Sequence, residues 1–185
     1  MSEDASISLR RVSALTARER SIGGPGVSPG DQLTALRDAV AALETAGVRC
    51  ALIGGTAVGA RSGVPRATLD VDLAVPTSYS RPSVVDALVG AGFELRGEHA
   101  HSVNFRHPNG EPVQLAFDPA FDQIVERARP VGIEGTHVAV AIVEDLIAMK
   151  ERAARDPAQR RSKALRHLAD VELLRGDIAD DDEGW

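Results

Sequence analysis

The chain has 185 residues and a formal net charge of −6, with 43% hydrophobic and 26% charged residues. This length is enough for one hydrophobic core with a small appendage, and it excludes two large domains. The aromatic content of 3% argues against a platform that binds single-stranded nucleic acid by base stacking. One cysteine, Cys50, excludes an intrachain disulfide, and no apolar run is long enough to span a bilayer. No signal peptide is evident, so a cytoplasmic location is the expectation.

Both ends of the chain are predicted to lie outside the folded part. Residues 1–30 read as a flexible arm, because Gly23-Gly24-Pro25-Gly26 and Ser28-Pro29-Gly30 cannot hold regular structure. One short helical turn is expected within the arm, near Ala14–Arg20. Residues 177–185 are rich in Asp and Glu and are predicted to form an acidic mobile tail.

A domain of alternating helices and strands is predicted over residues 31–142. Apolar residues at helical spacing indicate an amphipathic helix that begins at Asp31, as its N-cap, and ends at Gly47. The short apolar runs that follow are bounded by Gly, Pro or Thr and are typical of buried strands. In chain order, the next predicted elements are a strand over Val48–Ile53, a short helix over Thr56–Ser62, a strand over Leu69–Val75 and a helix over Ser80–Gly90.

The second half of this domain is predicted to contain a hairpin. Strands over Val103–Arg106 and Val113–Phe117 flank a turn whose Asn109-Gly110 pair strongly favours a hairpin. A short helix over Pro119–Ala128 should follow, and then a strand pair or an extended connector over Gly132–Val140. Together these elements predict the α/β (α+β) class, with a small mixed sheet and flanking helices.

Residues 143–176 are predicted to form a C-terminal helical pair that packs on this domain. The first helix covers Val143–Arg155 and the second covers about Ala158–Arg175. The residues expected to face inward are Leu146, Ile147 and Met149 on the first helix, and Leu165, Leu168, Val171 and Leu174 on the second. Basic residues cluster over Arg152–Arg166, where a solvated helix face and a surface for a polyanion are both open interpretations.

Two carboxylates are expected to share a face at the end of the second strand. Side chains alternate along a strand, so Asp70 and Asp72 project together while their apolar neighbours face the core. Carboxylates held this close repel each other unless a cation lies between them. Mg²⁺ suits such a pair because it binds one or two carboxylates and keeps its other positions for water and phosphate oxygens.

An anion site is predicted beside this pair of carboxylates. The first strand ends in Gly54-Gly55, where backbone N–H groups can approach a ligand closely, and a helix N-terminus follows. Together with the metal site, this turn indicates binding of a metal-bound triphosphate. Such an Asp-x-Asp pair and a Gly-Gly turn also occur as purely structural features of strand ends.

The ordered set of Gly54-Gly55-Thr56 and Arg66-x-Thr68-x-Asp70-x-Asp72 resembles the nucleotidyltransferase signature of the DNA polymerase beta superfamily. Its spacing is most similar to the AbiEii-type toxin and minimal nucleotidyltransferase branch. The resemblance covers about Leu33 to Leu174. It implies that the Gly-Gly-Thr turn, Arg66 and Thr68 bind the nucleotide and that the two aspartates bind Mg²⁺. A nucleoside monophosphate would move from an NTP to an acceptor hydroxyl of RNA or protein, in a toxin–antitoxin system with an antitoxin partner.

Two later residues resemble further motifs of the same family. By this resemblance Lys150 contacts the nucleotide phosphates, and Asp170 positions that lysine or another basic group. Without the resemblance, the two residues read equally well as a surface lysine and an ordinary helical aspartate.

The third carboxylate of the family pattern is the main departure in this sequence. Family members commonly carry it on the strand that is predicted here over Val113–Phe117, and the matching position is Gln114. A neutral amide cannot take a proton near neutral pH, so deprotonation of the acceptor is in doubt more than nucleotide binding. Asp118 faces the same way but lies four residues on, roughly 13 Å along a strand. Its alternative role is the N-cap of the next helix.

Three functions are therefore weighed. The first is a Mg²⁺-dependent nucleotidyltransferase. The second is a nucleotide-binding pseudoenzyme or regulator that keeps Asp70 and Asp72 but cannot complete transfer because of Gln114. The third is an interaction domain, which would show no Mg²⁺-dependent nucleotide binding.

Overall fold

The computed structural model describes residues 31–64, 66, 68, 70–133 and 135–176. The predicted arm over 1–30 and the predicted tail over 177–185 lie outside these residues. The described helices are α1 (Asp31–Thr45), α2 (Gly54–Ser62), α3 (Arg81–Gly90), α4 (Asp122–Arg127), α5 (Val143–Arg155) and α6 (Arg161–Arg175), with a 3₁₀ turn over Pro119–Phe121. The strands are β1 (Ala51–Ile53), β2 (Val71–Ala74), β3 (Glu94–His99), β4 (Ser102–Arg106), β5 (Pro112–Ala116), β6 (Arg129–Ile133) and β7 (Thr136–Val140).

All seven described strands form one mixed sheet in the order β3-β4-β5-β2-β1-β7-β6. The two central strands, β1 and β2, are antiparallel, whereas β2 is parallel to β5 and β1 is parallel to β7. The β3–β4, β4–β5 and β6–β7 pairs are antiparallel. The predicted α/β class with a mixed sheet and flanking helices is therefore confirmed. Of the two options for residues 132–140, the strand pair is the one that forms, and its first strand begins earlier, at Arg129.

The core lies along the middle strands and the helices that cover them. Leu36 and Leu43 of α1, Leu52 of β1, Leu73 of β2 and Leu115 of β5 are almost completely buried. Burial of this kind contributes about 1.5–3 kcal/mol for each leucine side chain. Helix α1 contacts α3 as well as β2 and β5, and α2 contacts β1, β2, α5 and α6. Helix α2 is thus held between the sheet and the two C-terminal helices.

Arg61 fixes the position of α2 on the sheet. Its Nε donates to the carbonyl oxygen of Ala141 at 2.9 Å, and its Nη2 donates to that of Val140 at 2.7 Å. Both carbonyls belong to the end of β7 or the residue after it, so the helix is tied to the strand that pairs with β1. The first turn of α2 consequently has a fixed place at the end of β1.

Three sequence predictions need correction. Strand β3 was not predicted, because its sequence ELRGEH lacks apolar alternation and it is exposed at the sheet edge. The predicted helix over Pro119–Ala128 is a 3₁₀ turn followed by the short helix α4. On α6, Leu165 and Leu168 are exposed by 57% and 47%, so they do not face inward, although Val171 and Leu174 do.

No helix among the described residues has both the length and the apolar character needed to cross a bilayer.

Candidate active site

The turn from β1 into α2 forms one wall of a cavity of about 600 Å³. Gly54 and Gly55 line it, and Ile53 at the N-cap position offers no side-chain hydrogen bond to the first helical turn. The N–H groups of that turn have no partner within the helix, so this wall suits an anion. Gly54 has a φ of +73°, a region that favours glycine. A Cβ on Gly54 would overlap with Oδ2 of Asp72, so the backbone and this carboxylate are in close approach.

Asp70 and Asp72 line the same cavity from the start of β2. Asp72 pairs with Ile53 on one side and Gln114 on the other, which places it at the centre of the sheet. Asp70 is exposed, and its backbone oxygen accepts hydrogen bonds from Nε2 of Gln32 and Oγ1 of Thr68, both at 3.0 Å. The structure therefore places both predicted carboxylates on the wall of one cavity.

The electrostatics of this pair suit a divalent cation. Burial raises the pKa of Asp72 to about 7, with a further rise from the negative charge of Asp70, while Lys150 and Lys163 act in the opposite direction. A cation between the two carboxylates would remove the repulsion and favour the ionised form of Asp72. Among the described residues, no group of three or more His, Cys, Asp or Glu side chains forms a metal cluster. Two carboxylates with open positions for water and phosphate oxygens fit Mg²⁺.

A buried ion cluster joins three separate segments at the cavity. Asp170 of α6 is 1% exposed, and its Oδ1 accepts from Nε of Arg66 at 2.5 Å. Its Oδ2 lies 2.7 Å from Nζ of Lys150 on α5. One carboxylate thus holds two cations in place, and all three residues line the cavity. The family resemblance predicted that Asp170 positions Lys150 or another basic group. The structure places Asp170 in contact with Lys150 and with a second basic group, Arg66.

Thr68 and Thr56, both predicted to bind the nucleotide, differ in their placement. Thr68 lines the cavity, and its Oγ1 lies 3.3 Å from Oδ1 of Asp70. Thr56 does not line the cavity: its side chain is buried, and its hydroxyl has no hydrogen-bond partner among the described residues. Of the two threonines, the structure brings only Thr68 to the cavity.

The position of the missing third carboxylate lies beside the aspartates. Gln114 lines the cavity, and its Nε2 donates to Oδ1 of Asn104 at 2.9 Å. Asp118 lines the cavity beyond β5, where its Oδ1 accepts from the backbone N–H of Ala120 at 2.9 Å and so caps the 3₁₀ turn. Its other oxygen lies 3.6 Å from Nδ1 of His101. The capping role that the sequence left open for Asp118 is the one that the structure shows.

Three cavity residues on α6 escaped the sequence analysis. Lys163, Arg166 and His167 line the cavity on the same helix as Asp170. Their spacing of three, one and three residues along the helix places them on one side of it. For Lys163 and Arg166 the signal was present in the basic cluster over Arg152–Arg166, which had been left open between a solvated face and a polyanion surface, whereas His167 lies just beyond that cluster.

Solved structures with the same fold are nucleotidyltransferases. The antibiotic-resistance factor ANT(2″)-Ia is 21% identical, with a TM-score of 0.59, over 80% of this chain and 85% of that one. The lincosamide antibiotic adenylyltransferase LnuA, solved with lincomycin bound, is 12% identical, with a TM-score of 0.56, over 80% and 97%. An antigenic nucleotidyltransferase-like protein from Paracoccidioides brasiliensis is 22% identical, with a TM-score of 0.54, over 80% and 78%. At these identities the similarity establishes the fold. No curated protein matches the chain.

A family model for the nucleotidyl transferase AbiEii toxin of type IV toxin–antitoxin systems matches residues 35–183. The match spans most of the chain, including the glycine turn, both aspartates and the α5–α6 pair. The chain therefore belongs to the AbiEii nucleotidyl transferase toxin family.

Proposed function

We propose that this AbiEii-family nucleotidyltransferase moves a nucleoside monophosphate from an NTP to an acceptor hydroxyl, with Mg²⁺ held by Asp70 and Asp72. The observation that carries the proposal is a convergence of three features on one cavity of about 600 Å³. These features are the N-terminus of α2, the carboxylates of Asp70 and Asp72 at the start of β2, and the ion cluster around Asp170. Each suits one part of a metal-bound triphosphate.

The side chains would act mainly by position and charge. The backbone N–H groups of the Gly54-Gly55 turn, which lines the cavity, offer hydrogen bonds to phosphate oxygens, and Arg66 and Lys150 offset negative charge on them. Asp170 holds both cations in place before the substrate binds, which limits the reorganisation needed during the reaction. Bound Mg²⁺ would supply Lewis-acid stabilisation of charge on the phosphates.

A second cavity supports an acceptor route beside Asp70. It has a volume of about 290 Å³ and shares Asp70 and Gln114 with the first cavity. Arg96 and Arg106 also line it. Arg96 sits at an irregularity of the β3–β4 register, and such bulges redirect side chains. Two guanidinium groups suit phosphate oxygens, so RNA is the acceptor class that we favour over protein.

The first test is calorimetric titration of each of the four NTPs, with Mg²⁺ and with EDTA. We expect one or more NTPs to bind wild type only with Mg²⁺, and the Asp70→Asn/Asp72→Asn double variant to lose this binding.

Transfer is then measured with α-³²P-labelled NTP and separate RNA and protein fractions. The Arg96→Ala variant should transfer less label to RNA while keeping its NTP affinity. Absence of NTP binding by folded wild type would overturn the proposal.

A toxin role is proposed from the family membership. Induced expression of wild type should arrest growth, and expression of the double aspartate variant at the same level should not. If both proteins arrest growth equally, the toxicity does not come from this site. The antitoxin partner is proposed on the same basis, and relief of the arrest by a co-expressed candidate protein would identify it.

A nucleotide-binding pseudoenzyme is the second candidate, favoured by the hydrogen bond between Gln114 and Asn104. This bond fills the third position with a neutral amide pair, which has no group to take the acceptor's proton near neutral pH. Transfer that appears or rises greatly in Gln114→Asp would show that the natural protein is impaired. If Gln114→Asp changes nothing while Asp72→Asn abolishes transfer, another group takes the proton.

A further inference from the structure

His167 lies on the wall of the active-site cavity with both of its ring nitrogens unpartnered. Nδ1 and Nε2 are buried, and neither makes a hydrogen bond to any residue in the described part of the chain. Buried polar atoms in native structures normally have a partner, since burial without one costs free energy. The ring therefore indicates a bound group that the chain itself does not supply.

The side chains around His167 show which sign of charge the bound ligand carries. Lys150 faces it from α5, and Lys163 and Arg166 from α6, with Asp170 as the neighbouring acid. Burial lowers the pKa of His167 and so does Lys150, against an upward contribution from Asp170, while Lys163 and Arg166 lower it further. The cavity wall consequently carries a neutral imidazole among three cations, an arrangement that favours an anionic ligand.

The charge of the whole cavity indicates why a proton would be taken up together with an anion. Basic and acidic side chains on its wall balance, apart from the two histidines His101 and His167. The cations are Arg66, Lys150, Lys163 and Arg166, and the acids are Asp70, Asp72, Asp118 and Asp170. A nucleoside triphosphate remains negative after it binds one Mg²⁺, so its entry leaves excess negative charge. A proton on a neighbouring imidazole would offset part of that excess.

We propose that His167 binds the phosphates of the nucleotide and takes up a proton as they bind. This inference rests on the proposed function, since it assigns a ligand and a protonation step to the same cavity. The imidazolium ring has two N–H donors; because protein atoms shield both nitrogens, the ring must turn toward the cavity before phosphate oxygens accept hydrogen bonds from them. A role as the base that deprotonates the acceptor fits less well, because the three surrounding cations weaken the basicity of the ring.

The test is calorimetry of inorganic tripolyphosphate binding to the Mg²⁺-loaded protein at about pH 7, in buffers of different ionisation enthalpy. The dependence of the observed heat on the buffer gives the number of protons taken up. The proteins are wild type, His167→Asn, His167→Lys and His137→Asn. The last variant changes an exposed histidine on β7 that does not line the cavity, so it serves as the matched control. Protons exchanged by the probe or the aspartates cancel in the difference between variants.

We expect wild type and His137→Asn to take up about one proton more per tripolyphosphate than His167→Asn does. His167→Asn should bind about tenfold more weakly or worse, because charge-assisted hydrogen bonds are lost. His167→Lys should bind nearly as well as wild type without the extra proton, since its charge is permanent. Equal proton uptake in wild type and His167→Asn would overturn the inference. The inference would also fail if wild type binds an NTP but does not bind tripolyphosphate. If neither NTP nor tripolyphosphate binds wild type, the proposed function itself fails.

Discussion

Replacement of Gly54 by alanine tests whether close contact between the glycine turn and Asp72 is required for nucleotide binding. A Cβ at this position would lie 2.9 Å from both Cβ and Cγ of Asp72 and would overlap with its Oδ2. The Asp72 side chain must therefore move. It lines the cavity from β2, between β1 and β5, so its movement displaces one of the two carboxylates proposed to hold Mg²⁺.

Gly63, at the other end of α2, provides a matched control. Its φ of +72° is almost the same as the +73° of Gly54, but among the described residues, apart from its chain neighbours and the backbone of its own helix, no heavy atom lies within 4 Å of its hypothetical Cβ. Both substitutions place alanine in the left-handed region, which costs about 1–2 kcal/mol. Only Gly54→Ala adds a steric overlap, for which about 1–3 kcal/mol is typical. Gly54→Ala should therefore lower the free energy of unfolding by more than Gly63→Ala does.

The same overlap sets the expected loss of binding. If nucleotide binding requires Asp72 in its original place, the added 1–3 kcal/mol corresponds to an affinity lower by about 5- to 150-fold. Affinity is measured by calorimetry with NTP and Mg²⁺, and stability by urea denaturation of each variant. Gly63→Ala should keep the affinity of wild type despite its lower stability. Equal affinities for the two alanine variants would refute the reasoning.

Three further predictions concern titratable side chains. The pKa of about 7 for Asp72 lies above the value of 3.8 expected when unfolded. Between those values the unfolded chain loses a proton that the folded chain keeps, so stability in EDTA should fall as pH rises from about 4 to about 7. Asp72→Asn should remove this fall, measured by urea denaturation, and Mg²⁺ should stabilise wild type only. Burial raises the pKa of the Cys50 thiol to about 12, so a disulfide reagent at pH 8 should label it far more slowly in native protein than in urea. Asp170→Asn should lower the free energy of unfolding by about 3–5 kcal/mol, because Arg66 and Lys150 lose their shared buried counter-ion.

The sequence predicted the centre of the fold because the relevant signals are local. The apolar runs that form β1 and β2 are flanked by glycine, threonine and aspartate, and the Asn109-Gly110 turn joins β4 to β5 as expected. The two-residue spacing of Asp70 and Asp72 in an extended segment was enough to place both on one cavity. Strand β3 could not be found in this way, since its pairing with β4 stabilises it without any apolar face of its own.

The orientation of α6 was predicted only in part because two patterns compete along that helix. Leu165 and Leu168 suggested an inward apolar side, whereas His167 and Asp170 mark the side that lines the cavity. The second half of the helix reaches the core, where Val171 is buried. The first half passes the cavity with Lys163, Arg166 and His167 on its wall, and the two exposed leucines are not among the lining residues. Which pattern prevails depends on contacts with Lys150 and Arg66, distant in sequence.

Asp170 links this orientation to the chemistry of the site. Its carboxylate is buried and contacts one cation from α5 and another from the segment before β2, so α6 cannot turn its leucines inward without breaking both of these ion pairs. The same contacts reduce the net attraction of Arg66 and Lys150 for a phosphate, because half of their charge is already compensated. Asp170 therefore contributes fixed geometry for the two cations more than affinity for the nucleotide. Affinity should depend more on Lys163, Arg166 and His167, and this separates the positioning part of the cavity from its phosphate-binding part.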